Sequence, residues 1–165
     1  MVIEPIVWRR SVREYSEEPV LDEAIESMIK AAQFAPTAMN KREVEFVIVR
    51  EQYTKEKLCA VLGQDFIKNA PVLVLMAADP KLGLYCEQDL ALASGFVMIQ
   101  AAALGLGTVW KHIEDGEQKE SVRRILGLPK DYVFINVIPV GYPATDLPDH
   151  NDDDFDVSKI HIERY

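Results

Sequence analysis

Cysteine is scarce: Cys59 and Cys86 are the only two in 165 residues. Two thiols do not make a disulfide framework, which points to a reducing compartment and a cytoplasmic protein. Positive charge is also in short supply. Eighteen Lys and Arg face 27 Asp and Glu, for a formal charge of −9. A chain so acidic repels nucleic acid and anionic membrane surfaces. Histidine is limited to His112, His150 and His161, each isolated, and neither cysteine has one nearby in sequence. Ser11, Ser94 and Ser121 lack a nucleophile elbow, so a catalytic triad is not expected. The acidic run from Asp149 to Asp154 lacks the glycine and closing glutamate of a calcium loop. It reads as a solvated loop, and no metal site is expected. No apolar run reaches the about 20 residues a membrane span needs. Glu4, Pro5, Arg9 and Arg10 interrupt the N-terminus, so no secretory leader is expected.

What the chain does have is enough apolar sequence, 48%, to build one cored domain over residues 1–165. The segment 90–104, LALASGFVMIQAAAL, reads as a helix apolar on every side. Such a helix must be covered on every side, which a single domain of this size rarely does. Two coverings are open: a monomer core that surrounds it, or a second copy of the chain. Small residues such as Ala91, Gly95 and Ala102 permit close helix–helix approach. Periodicity predicts further helices over 19–34, 54–62 and 117–126, the last two closed by Gly63 and Gly127. Strands are expected at 45–49, 71–78, 108–110 and 132–140, and a terminal strand at 160–162, on this chain's sheet or on another subunit's. Residues 144–165 read as a C-terminal arm, acidic and without a core pattern over 144–158. Strands separated by helices without strict alternation suggest an α+β three-layer domain.

Three stretches hold candidate chemistry. Arg9-Arg10-Ser11-Val12-Arg13 concentrates three guanidinium forks and a hydroxyl, a set suited to one small anion such as a phosphate. The competing reading is a solvated cluster paired with Glu14, Glu17 and Glu18. Pro36-Thr37-Ala38-Met39-Asn40 groups a hydroxyl and a carboxamide with small side chains. Asn40 can both donate and accept to a heterocycle edge; alternatively these polar groups only cap one another. Gly105-Leu106-Gly107-Thr108-Val109-Trp110 follows a helix instead of a strand and has Trp at position 110, so it is not a dinucleotide fingerprint. It reads as a tight turn into a strand whose main chain can meet a flat ligand.

Taken in order, the block from Arg9 to Tyr15, Ala35-Pro36-Thr37-Ala38-Met39-Asn40, residues 89–100, the run from Ala103 to Trp110, Pro139-Val140-Gly141-Tyr142-Pro143 and the tail from Ile160 to Tyr165 resemble the nitroreductase family of FMN-dependent enzymes. The resemblance implies a nitroreductase-like α+β fold, with a central mixed or antiparallel sheet between helices. It also implies an intertwined homodimer with FMN at the subunit interface. By this resemblance Arg9, Arg10, Ser11 and Arg13 hold the ribityl phosphate and the pyrimidine side of the flavin. Pro36, Thr37, Ala38, Met39 and Asn40 come from the opposite subunit, and Thr108, Val109 and Trp110 approach the ring from the first. NADH or NADPH passes hydride through flavin N5 to nitroaromatic, quinone or similar flat acceptors by ping-pong kinetics. No catalytic side chain is implied, since the cofactor carries the chemistry. The alternative is a flavin carrier or sensor without NAD(P)H turnover. Two departures stand out. Relatives place a basic residue in the C-terminal segment, where this chain has Asp152-Asp153-Asp154-Phe155-Asp156. That leaves open weaker FMN binding, substitution by Lys159, or an arm turned away. The intervals 49–71 and 79–86 are short, leaving little sequence for a lid.

Overall fold

The computed structural model describes residues 1–165. Its organising element is β2 (Val72–Ala78), VLVLMAA, in which every residue is buried. A strand apolar at both parities has to be covered on both faces. Val72, Val74, Met76 and Ala78 pack with Ile25 and Met28 of α2 (Asp22–Gln33) and with Leu90, Ala93 and Val97 of α5 (Cys86–Ala103). Leu73, Leu75 and Ala77 turn the other way. They meet Leu58 and Leu62 of α3 (Gln52–Leu62), Ile67 of α4 (Phe66–Asn69), Val122 of α6 (Glu117–Leu126), and Phe134. The result is three layers: helices, sheet, helices.

The sheet runs β1 (Val44–Val49), β2, β5 (Asn136–Gly141), β3 (Gly107–Thr108), with β4 (Lys111–His112) also on β5. Every strand pair is antiparallel, from Val44 opposite Ala78 at one edge to Thr108 opposite Val140 at the other. A short α1 (Glu4–Trp8) precedes the sheet. Between α5 and β5 a buried polar pair crosses the core. Asn136 donates from Nδ2 to Ser94 Oγ at 3.0 Å, and Ser94 Oγ donates to the Leu90 carbonyl at 2.7 Å.

The helix over 117–126 has the expected limits, and Gly63 and Gly127 close α3 and α6 in the left-handed region, φ 71° and 66°. Several elements differ from expectation. α1 and α4 are too short for a periodic pattern to reveal. The strand expected over 132–140 begins only at Asn136, because Val133 makes a single bridge to Ala78 before the chain bends. The 108–110 strand is two short pieces, β3 and β4, with Val109 and Trp110 between them. Within the chain no terminal strand forms at 160–162. The arm instead carries two single turns, Asp152–Asp154 and Val157–Lys159, and pairs with no strand of its own sheet.

The apolar helix proves two-sided. One side of α5 is core. The other presents Ala91, Leu92, Gly95, Phe96 and Ala103 at least partly to solvent, with Leu92 at 44%. The interval 49–71 is filled by α3 and α4, which pack on the opposite face of the sheet and cannot serve as a lid.

Candidate functional site

Arg9 ends α1, where its N–H bonds the Pro5 carbonyl at 3.2 Å. The chain then runs along the sheet edge. Val12 N–H donates to the Thr108 carbonyl at 2.9 Å, and Ser11 bridges Thr108 in parallel. Gly107 permits this close passage, since a Cβ there would overlap the Val12 side chain. Val12 points inward, which leaves Ser11 and Arg13 exposed and Arg9 and Arg10 half-buried.

Tyr15 fixes the run from below. Its hydroxyl donates to the Val12 carbonyl at 2.8 Å, and burial pushes its proton affinity well above that of a free phenol. Tyr15→Phe removes that bond while keeping the ring. It is expected to cost about 1 kcal/mol in urea-induced unfolding.

The paired-cluster reading of the basic run is not what the structure holds. No carboxylate lies within 4.0 Å of Arg9, Arg10 or Arg13. Their partners are a ring nitrogen and two backbone carbonyls. Arg9 Nη2 reaches His150 Nε2 at 3.4 Å, Arg10 donates to the Pro148 carbonyl, and Arg13 Nη1 touches the Ser11 carbonyl at 3.5 Å. Three guanidinium groups without a counter-ion match a phosphate dianion in charge and in donor geometry.

The arm is not turned away. Its first part folds over the basic run, with His150 N–H on the Val7 carbonyl at 3.0 Å. Asp154 is taken up locally. It accepts from His150 Nδ1 at 2.8 Å and from Asn151 N–H at 3.3 Å, and the His150 bond holds its carboxyl below the usual carboxylate range. Lys159 pairs with Asp156 at 3.7 Å. A cleft of about 230 Å³ opens beside Trp8, Arg10, Val12, Leu106 and Gly107.

Of the Thr108, Val109 and Trp110 trio, Thr108 and Val109 are buried at 1% and 2%, and only Trp110 presents its ring, at 36%. The Pro36 to Asn40 stretch lies elsewhere. Pro36, Met39 and Asn40 are exposed, Thr37 and Ala38 half-buried. Met39, Asn40 and Arg42 all sit at φ 54°, a conformation that costs non-glycine residues energy and collects at functional sites. Several bonds hold this strained loop. Arg42 N–H donates to Thr37 Oγ1 at 3.0 Å and Arg42 Nε to Asn40 Oδ1 at 2.9 Å. Ala38 N–H donates to both oxygens of Asp89, at 3.1 and 3.2 Å.

The two clusters therefore occupy opposite ends of α5. Asp89, in its first turn, holds the loop, while the Gly107 strand that follows its C-terminus holds the arginines. From Asp89 to Ala103 the helix rises about 20 Å at 1.5 Å per residue. The structure brings Arg9 to Arg13 together with Thr108, and it keeps Pro36 to Asn40 apart from both. Sequence reasoning missed His150, Asp89 and Glu43. His150 stands in an acidic loop and reaches Arg9 only through the tertiary fold. Asp89 and Glu43 look like ordinary surface acids until their burial, 4% and 2%, is known.

An antiparallel sheet between two helix layers, edged by an arginine run with no carboxylate partner, defines a three-layer α+β domain. The chain belongs to the nitroreductase family, whose model matches residues 6–142. It is 34% identical over 168 residues to an Archaeoglobus fulgidus protein provisionally named NADH dehydrogenase/NAD(P)H nitroreductase, covering 97% of this chain and 96% of that one. It is 31% identical over 166 residues to the Bacillus subtilis FMN reductase [NAD(P)H], covering 87% of this chain and 66% of the relative. The solved FMN-dependent nitroreductase of Clostridium difficile superimposes with a TM-score of 0.93 at 28% identity, over 99% of this chain and 100% of that one. No helix is long and apolar enough to cross a membrane.

Proposed function

We propose that the chain is an FMN-dependent NAD(P)H oxidoreductase that works as a homodimer. In this reading it passes hydride equivalents from NADH or NADPH to nitroaromatic, quinone or similar flat acceptors in alternating half-reactions. The observation that carries it is the separation of two ligand-suited clusters by the length of α5. One copy cannot close both around a single flavin. Two copies packed on the exposed apolar side of α5 bring the arginine run of one against the strained loop of the other.

FMN, when bound, supplies the two-electron chemistry between donor and acceptor. The protein's part is to hold and orient. Arg9, Arg10 and Arg13 neutralise the phosphate, and Ser11 adds a hydroxyl donor. Thr37 and Asn40 of the partner offer polar groups to the ribityl chain and ring edge, and Trp110 offers an exposed ring face. Positive charge near the pyrimidine side favours charge gained there on reduction. The names of the Bacillus and Clostridium relatives support the cofactor and the donor. The arm carries Phe155, Val157 and Ile162 exposed at 68%, 69% and 84%. In this reading they are covered by the second subunit.

The test is an absorbance spectrum of purified protein under anaerobic conditions. A yellow preparation bleached by NADH or NADPH, and recoloured by a quinone or nitroaromatic, is the expected result. A yellow protein that neither nucleotide bleaches indicates a flavin carrier. A colourless protein that ignores added FMN overturns the proposal.

A further inference from the structure

Glu43 enters β1 buried, yet neither of its carboxylate oxygens has a hydrogen-bond partner. A charged carboxylate left in that state is strongly disfavoured. The side chain is lodged there by its neighbours, and a Cβ at Gly83 would overlap its carboxyl. Three titratable groups face it, and a fourth, Asp79, faces Cys86 beside it. Asp89 and Cys86 come from the first turn of α5, Lys41 from the preceding loop, and Asp79 from beyond the end of β2. Burial raises the proton affinity of Glu43 first, and the adjacent Asp89 raises it further, against the opposing pull of its own backbone N–H and of Lys41. Burial likewise pushes the Cys86 thiol up, so it stays neutral and donates to the Gly83 carbonyl at 3.2 Å. Asp89 is committed, with both oxygens on Ala38 N–H.

A buried carboxylate with no hydrogen-bond partner, set beside a second carboxyl and facing one cation, Lys41, is pushed toward its neutral form. We propose that Glu43 and Asp89 share one proton carried on Glu43, and that Glu43 is thereby a positioning residue for the Thr37–Arg42 loop. With Glu43 neutral, both Asp89 oxygens accept from Ala38 N–H without a like charge beside them. The bond in turn pins a loop strained at Met39, Asn40 and Arg42. The consequence for cofactor binding rests on the flavin reading given above; the proton-sharing pair does not. The sign is fixed by the raised proton affinity of Glu43. Its contribution is fully present below the ordinary glutamate range and is lost as pH rises through its raised value.

The experiment uses the full chain as wild type, Glu43→Gln and Asp89→Asn. Three quantities are followed across pH: carboxyl carbon shifts of Glu43 and Asp89, the amide protection factor of Ala38, and FMN affinity by fluorescence quenching. At about pH 6, where exposed glutamates are fully charged, one of the two wild-type carboxyls should still hold its proton. Wild-type Ala38 protection should fall as that carboxyl titrates. Glu43→Gln, neutral and still a donor, should keep the protection at every pH and bind FMN within about threefold of wild type. Asp89→Asn should lower both by roughly tenfold, the scale of one lost charge-assisted bond.

The proposal is overturned if both carboxyls are charged at that pH, or if Glu43→Gln keeps the wild-type pH profile. Should Glu43→Gln not fold, the wild-type carboxyl titration alone decides. If Ala38 protection behaves as expected while FMN affinity moves in neither variant, the proton-sharing pair stands and the loop has no part in flavin binding.

Discussion

The double variant Arg9→Ala, Arg13→Ala is expected to bind FMN at least about a hundredfold more weakly than wild type, measured by flavin fluorescence on apoprotein. Each charge-assisted contact to a phosphate is worth roughly 1.5–3 kcal/mol. Two contacts to one dianion are not fully additive. The size of the effect follows from what the arginines lack. None has a carboxylate within 4.0 Å, so a phosphate displaces no internal ion pair when it arrives. Removing them also leaves the fold largely alone. The backbone of the run is held by Val12 N–H on Thr108 and by the Tyr15 hydroxyl on Val12, neither of which uses an arginine side chain. Thermal stability should therefore stay near wild type while affinity collapses. Unchanged affinity in the double variant removes the phosphate role.

Gly95→Trp is expected to turn a dimer into a monomer at micromolar concentration, read by sedimentation. Gly95 lies on the exposed side of α5, and a Cβ built on it meets nothing within 4 Å. Within one protomer the added Cβ meets no neighbour, and replacing glycine inside a helix favours the helix. The penalty falls only on whatever packs across that face. Overpacking there weakens association by roughly tenfold to a few hundredfold. Because the arginine run and the Thr37–Arg42 loop stand about 20 Å apart along α5, the monomer should also lose FMN. A variant that stays dimeric and yellow places the subunit contact elsewhere.

The three-layer fold was legible because the chain states it in apolar periodicity. β2 is apolar at both parities, α2 and α6 show helical stripes, and α3 and α6 end at glycines. The helix over 90–104 gave its apolar character all round, and the structure divides that character between a core side and a side open to solvent. Elements shorter than about two turns escaped, because α1 and α4 offer too few residues for a period to be seen. The strand expected over 160–162 had a suitable alternation, and within one chain it pairs with no strand.

For the site, the residue types in the Arg9 to Arg13 run and the Pro36 to Asn40 turn were visible. Their placement at opposite ends of one helix was not. The positive φ values at Met39, Asn40 and Arg42 escaped too, since none of them is glycine. Glu43 and Asp89 were the hardest to foresee. A carboxylate's burial is a property of its neighbours, here Gly83 and the first turn of α5.

The core offers β2 no chemical contrast between its two sides. A shift by one residue against β5 would trade one greasy surface for another, with little change in how much oil is hidden from water. Ordinary inside–outside patterning therefore cannot choose the alignment of the central strands. The hydrogen-bonded Asn136 and Ser94 do so for β5 against α5, because a one-residue slip of β5 turns Asn136 to the other face and strands both partners in hydrocarbon. That polar contact adds little strength, and it keys β5 to the helix beneath it in one alignment.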